Sequence, residues 1–249
     1  MGSALAGKVV LVTGSARRLG AETARLLHDA GADLALHYRR ATGDAQALAG
    51  ALNGLRPGSA IALQADLLDT PRLPGLIAAV AERFGRVDAL VNNASSFFPT
   101  PVGSITESHW DDLMGTNLKA PLFLAQAAAP QLRQARGTVV NIVDIHAERP
   151  LKSYPLYCTA KAGLVGLTRA LAVELAPEVR VNGVAPGPIE WPEDDSFDAA
   201  ARETIIGHTL LKRKGEALDV AKLVLFLLAD ATYLTGQIIA VDGGRTAHL

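Results

Sequence analysis

Seven short apolar runs alternate with longer segments of helical period along this chain of 249 residues, and no other feature limits the fold as much. The runs are Lys8–Thr13, Asp33–His37, Ala60–Gln64, Ala89–Asn92, Thr138–Ile142, Arg180–Val184 and Gln237–Val241. Parallel strands are covered by helices on both faces, so they read as unbroken apolar stretches rather than alternating ones. Between them the helical candidates are Leu19–Ala30, closed by Gly31, Thr42–Leu55, and Pro71–Phe84, closed by Gly85. Ser108–Arg133, Tyr157–Leu175 and Leu218–Leu228 follow. The segment Ser108–Arg133 is expected to break or kink near Pro121 or Pro130, because proline removes a helical donor. The stretch from Ala185 to about Thr204 holds three prolines, Trp191 and the acidic run Glu193-Asp194-Asp195, and reads as a substrate loop. No linker or repeat divides the chain. The expectation is one doubly wound α/β domain over residues 1–249, on a parallel sheet of about seven strands.

Composition narrows the function. At 49% hydrophobic and this length, the chain can bury about 70–75% of its unfolded surface in a single core. A formal net charge of −1 without basic runs argues against nucleic acid as a partner. The apolar stretch Leu223–Ala229 is too short to span a bilayer. The single cysteine, Cys158, precludes an intrachain disulfide and suits a reducing compartment. Residues Met1 to Gly7 carry no signal-peptide pattern, so a cytoplasmic protein that binds a small molecule is expected. No metal is expected.

The first strand leads into Thr13-Gly14-Ser15-Ala16-Arg17-Arg18-Leu19-Gly20. Gly14 permits a tight turn and Gly20 permits close packing of helix on strand. The backbone N–H groups of that helix start then face a pyrophosphate, as in Rossmann-type dinucleotide sites. Sites that use NAD place an acid at the end of the second strand to bind the ribose hydroxyls. Here that strand ends His37-Tyr38-Arg39-Arg40. A guanidinium binds a 2′-phosphate where a carboxylate repels it, so NADP(H) is the expected cofactor.

Tyr157 and Lys161 stand four apart on a helix and share a face. A nearby ammonium favours the phenolate, so the tyrosine pKa is expected to fall toward neutrality, making the phenol a usable proton donor.

Together these residues resemble the short-chain dehydrogenase/reductase family over essentially the whole chain. The matching pieces are Thr13-Gly14 through Gly20, Asp66, Asn92-Asn93-Ala94, Asn117, Tyr157 with Lys161, and Pro186-Gly187. The resemblance implies that Gly14, Arg18, Leu19, Gly20, Tyr38, Arg39, Arg40, Asp66, Leu67, Asn93, Ala94, Pro186 and Gly187 bind cofactor together with Tyr157 and Lys161. It implies adenine contact for Asp66, a water held by Asn117 toward Lys161, and the general acid role for Tyr157. A homotetramer also follows from the resemblance alone.

Two departures from the common pattern carry information. Arg18 stands where the turn normally has a third glycine, and Asp144 stands where a catalytic serine is normal, thirteen residues before the tyrosine. A serine hydroxyl donates to a substrate carbonyl; an ionised carboxylate cannot. Both departures, with Asn93-Ala94-Ser95-Ser96-Phe97, are similar to pteridine reductases. That likeness implies NADPH-dependent reduction of a dihydropterin or dihydrofolate-type substrate. Arg18, Ser95, Phe97, Asp144 and Tyr157 would contact it, with Phe97 stacked on the ring. Ala41 replaces a hydroxyl residue common in those enzymes, with Thr42 next in line. The alternatives are reduction of another carbonyl or imine, and a catalytically silent dinucleotide-binding regulator.

Overall fold

The apolar runs form one sheet because helices cover both faces of its central strands, while the two edge runs, Ala60–Gln64 and Ile238–Val241, are only partly buried. The computed structural model describes residues 3–191 and 197–247, so the acidic run Glu193-Asp194-Asp195 lies outside the described residues. The strands are β1 (Val9–Val12), β2 (Asp33–Tyr38), β3 (Ala60–Gln64), β4 (Ala89–Asn92), β5 (Thr138–Ile142), β6 (Arg180–Pro186) and β7 (Ile238–Val241). Their order is β3-β2-β1-β4-β5-β6-β7, with every pairing parallel. The helices are α1 (Arg18–Asp29), α2 (Thr42–Leu55), α3 (Leu73–Phe84), α4 (Glu107–Met114), α5 (Ala120–Ala135), α6 (Pro155–Leu175), α7 (Ala199–Gly207) and α8 (Ala217–Ala229).

Alternate residues of a strand face opposite layers, which is why β1 had to be apolar throughout. Val10 and Val12 join Leu27, Leu48 and Val224 beneath α1, α2 and α8. Val9 and Leu11 join Leu73, Leu124 and Leu171 beneath α3, α5 and α6. The chain leaves β1 in one direction and returns to β4 on the other side. That reversal opens a crevice beyond the carboxyl ends of β1 and β4, the usual place for a ligand in such sheets.

One segment follows the sequence expectation and a second departs from it. The break in Ser108–Arg133 is a π-helical stretch, Gly115–Lys119, lying between α4 and α5 just before Pro121. Pro121 has no N–H to give the carbonyl four residues back, and the widened turn accommodates that. Pro130 sits inside α5. The stretch from Ala185 is less irregular than expected. β6 continues to Pro186, which pairs with Val241, and α7 starts after Asp198, whose side chain accepts from the Ala201 N–H at 2.8 Å. None of α7's residues is buried, so the helix has no apolar stripe to announce it.

Candidate active site

A cleft of about 830 Å³ lies over the strand reversal, bounded by the β1–α1 turn, the ends of β4 and β5, the start of α6 and the segment after β6. At its β1 end the structure is set by backbone contact. A Cβ on Gly20 would stand 2.3 Å from the Gly14 carbonyl oxygen and 2.5 Å from Asn93 Nδ2. Gly14 has φ +61 and passes so close to Ala94 that a Cβ would meet its Cα at 2.9 Å. Thr13 Oγ1 accepts from the N–H groups of Asn93 and Ala94, at 2.9 and 3.0 Å. Asn93 Nδ2 donates back to the Thr13 and Gly14 carbonyls. The Gly14 N–H donates to Nδ1 of the buried His37, 3.1 Å away. Burial lowers that imidazole's pKa, so it is neutral with its proton on Nε2, facing the Ala65 carbonyl.

Helix α1 opens without a side-chain cap and without an acid in its first turn, while Arg17 and Arg18 line the cleft beside it. Uncapped N–H groups, the positive end of the helix dipole and two cations are the features a pyrophosphate needs, so the residues present fit a dinucleotide. Of the strand-end arginines, Arg39 lines the cleft and pairs with Asp66 at 3.1 Å. Leu67 lines it also. Arg40 is exposed and Tyr38 is buried, and neither is part of the lining. Arg39 thus faces the cleft itself, while Arg40 stands exposed just past the end of β2 and Arg17 forms an ion pair with Asp44.

Arg18 is where the strain lies. Its φ is +54, in the left-handed region that suits glycine and costs other residues about 1–2 kcal/mol. From there Nε donates to Glu190 at 2.9 Å and Nη2 to the Trp191 carbonyl at 2.8 Å, tying the turn to the segment after β6.

At the other end stand Asp144, after β5, and Tyr157 and Lys161 on α6. Tyr157 Oη donates to Asp144 Oδ2 at 2.7 Å, and the carboxylate's other oxygen accepts from the His146 N–H at 2.8 Å. Asp144 thus caps a short turn and partners the phenol at once. Lys161 Nζ donates to the Ile142 carbonyl at 2.9 Å and lies 5.7 Å from the centre of the Tyr157 ring. Both side chains are buried.

The expected fall in the tyrosine's pKa is corrected here. Burial, then the adjacent Asp144 carboxylate, raise the Tyr157 phenol well above its ordinary value. The phenol is therefore held protonated, as a proton donor must be. Lys161 is lowered to about 8 by burial, against the pull of Asp144.

Ser95 and Asn117 meet: Ser95 Oγ donates to Asn117 Oδ1 at 2.6 Å, and Asn117 Nδ2 donates to the Ser96 and Leu113 carbonyls. None of these bonds runs to Lys161. Phe97 lines the cleft with its ring stacked on Tyr154, centroids 4.5 Å apart, and edge-on to Tyr157 at 4.7 Å. Pro186 and Gly187 line the cleft as expected, with Gly187 pressed against Asp242. Sequence reasoning missed His37, Arg17, Glu190 and Arg245, all in the lining. Only His37 carried a signal, as a polar residue ending an apolar strand.

The family model described as enoyl-(acyl carrier protein) reductase matches residues 14–246. Pteridine reductase 1 of Leishmania tarentolae is 40% identical, covering 95% of this chain and 95% of that protein. The 3-oxoacyl-(acyl-carrier-protein) reductase of Thermotoga maritima is 33% identical over 96% of this chain and 98% of its own. The enzyme of that name from Staphylococcus aureus is 35% identical over 95% and 97%.

Proposed function

The chain belongs to the short-chain dehydrogenase/reductase family of oxidoreductases, and we propose that it reduces a dihydropterin-type substrate with NADPH. The observation that carries this reading is the 2.7 Å bond from Tyr157 to Asp144, a carboxylate where a carbonyl reductase needs a donor. Pteridine reductase 1 among the relatives lends it support.

NADPH would lie with its pyrophosphate at the start of α1 and its 2′-phosphate near Arg39 and Arg17, and it supplies the hydride. Its nicotinamide end would rest against Asn93, Ala94, Pro186, Gly187 and the Lys161 ammonium. The chain's own work concerns protons. Tyr157 Oη keeps its proton because burial and Asp144 disfavour the phenolate. A pterin ring nitrogen placed to accept from that hydroxyl draws the proton, and the Lys161 ammonium offsets the charge left on the phenolate. The Asp144 carboxylate accepts N–H donors that a pterin offers and a ketone lacks. Arg18, Ser95 and Phe97 line the space the ring would enter.

NADPH oxidation by the purified protein tests the reading, with a dihydropterin and a 3-oxoacyl thioester as rival substrates. The expected result is turnover of the dihydropterin and a preference for NADPH over NADH of at least about tenfold, or about 1.4 kcal/mol. Turnover of the thioester alone contradicts it.

A further inference from the structure

The cations of the cleft are matched with one exception. Arg17 pairs with Asp44, Arg18 with Glu190, Arg39 with Asp66, and Lys161 donates to a carbonyl. Arg245 also lines the cleft, yet its guanidinium makes no hydrogen bond or ion pair within reach among the described residues.

The two carboxylates nearest to hand are both engaged elsewhere. Asp242 accepts from the Gly244 N–H, the Thr246 N–H and Thr246 Oγ1, at 2.9, 2.8 and 2.7 Å, and so folds the turn that carries Arg245. Asp144 has one oxygen on His146 and the other on Tyr157.

The turn itself is held firmly. Gly243 and Gly244 take φ of +62 and +80, and the Gly243 carbonyl accepts from the Leu211 N–H at 3.1 Å. Arg149, on the stretch after Asp144, donates to the Thr246 carbonyl at 3.2 Å. A half-buried guanidinium without an acceptor is costly, and here the held turn sets its Cα beside the cleft that the side chain lines. Burial lowers its pKa, against the attraction of Asp144 and Asp242, so it sits on the Asp144 side of the cleft. That is the end remote from the phosphate-binding start of α1.

We propose that Arg245 is an anion subsite for the substrate, binding a carboxylate borne on the part of the molecule beyond the ring that meets Tyr157. The geometry suits a forked contact, since both guanidinium edges lack a partner and carboxylates accept from such a fork bidentately. The inference rests on the reading of the cleft as a pterin site and narrows it to pterins with an acidic tail.

Calorimetry with dihydrofolate and its dimethyl ester, which keeps the tail but removes both charges, isolates the contact. Binding is measured to the NADP⁺-loaded protein, where no turnover occurs. The acid is expected to bind at least about tenfold more tightly than the ester, or about 1.4 kcal/mol. Arg245→Ala abolishes that difference by weakening the acid alone, and Arg245→Lys keeps part of it. Equal affinities in the wild-type protein overturn the proposal. So does an Arg245→Ala loss that is the same for acid and ester, which makes the residue a counter-ion of Asp144 instead. A charge-dependent difference in binding without NADPH-driven reduction of either compound leaves the subsite standing and removes the reductase reading.

Discussion

At the β1 end of the cleft the shape is set by close backbone contacts, whereas at the β5 end it is set by side chains gathered from four separate stretches. Gly14, Gly20 and the Thr13–Asn93 bonds close the first end. The second end needs Asp144 from beyond β5, Tyr157 and Lys161 from α6, the Pro186–Trp191 segment, and Arg245 from the turn after β7. The difference separates two kinds of constraint. A steric requirement admits one residue type, while a chemical one can be met in several ways, so Asp144 can stand where serine is usual without disturbing the fold. Arg18 joins the two ends, holding a glycine-like conformation while its side chain crosses to Glu190.

The largest effect is expected at the side-chain end. Tyr157→Phe removes the proton donor and lowers kcat by about two to four orders of magnitude. NADPH affinity and melting temperature change little, because the ring remains in place. A mutant retaining half the wild-type rate would move the proton source elsewhere.

At the backbone end the outcome inverts, with structure failing before chemistry. Gly20→Ala sets a methyl against the Gly14 carbonyl oxygen, which is backbone and cannot swing aside. The expected destabilisation is about 1–3 kcal/mol. That corresponds to a melting temperature lower by about 2–4 °C for each kcal/mol in a chain this size. NADPH binding weakens with it. Unchanged melting and affinity would show that this turn is looser than the contacts imply.

Lys161 sharpens the comparison through pH, because in the proposed reading its ammonium meets both the cofactor and Tyr157. Its pKa in the folded protein is about 8, so half the charge is already lost at that pH and the rest goes as the pH rises further. NADPH affinity is therefore expected to be flat only below about pH 7 and to weaken above it, approaching about tenfold per pH unit. In Lys161→Met the break disappears. A wild-type affinity flat to pH 10 would separate the ammonium from cofactor binding.

The sheet was legible because its requirements are local: strands buried on both faces must be apolar throughout, and glycine turns must be glycine. Tyr157 and Lys161 were found through their spacing on α6, and Asp144 through its place thirteen residues before the tyrosine, where the resembled family has a serine. The direction of the tyrosine's pKa was misjudged because spacing shows Lys161 near the phenol but not the burial of the ring, which with the Asp144 carboxylate outweighs the ammonium. Arg39 and Arg40 were adjacent in sequence, and only the fold shows that one lines the cleft and the other is exposed. Glu190 and Arg245 had no local pattern, since each acquires its meaning from residues far along the chain. Helix α7 was hidden for the opposite reason, having no buried face to leave a period.

The central claim is that the Asp144–Tyr157 pair selects a pterin over a carbonyl, and Asp144→Ser tests it most directly. The assay compares NADPH oxidation by wild type and mutant on one dihydropterin and one ketone or diketone. Serine can donate to a carbonyl oxygen but cannot hold or relay a proton as a carboxyl group does. The mutant is expected to lose most of its activity on the dihydropterin, with activity on the carbonyl compound unchanged or raised. A serine mutant that reduces the dihydropterin as fast as wild type would contradict the account, leaving Asp144 as the cap of a turn.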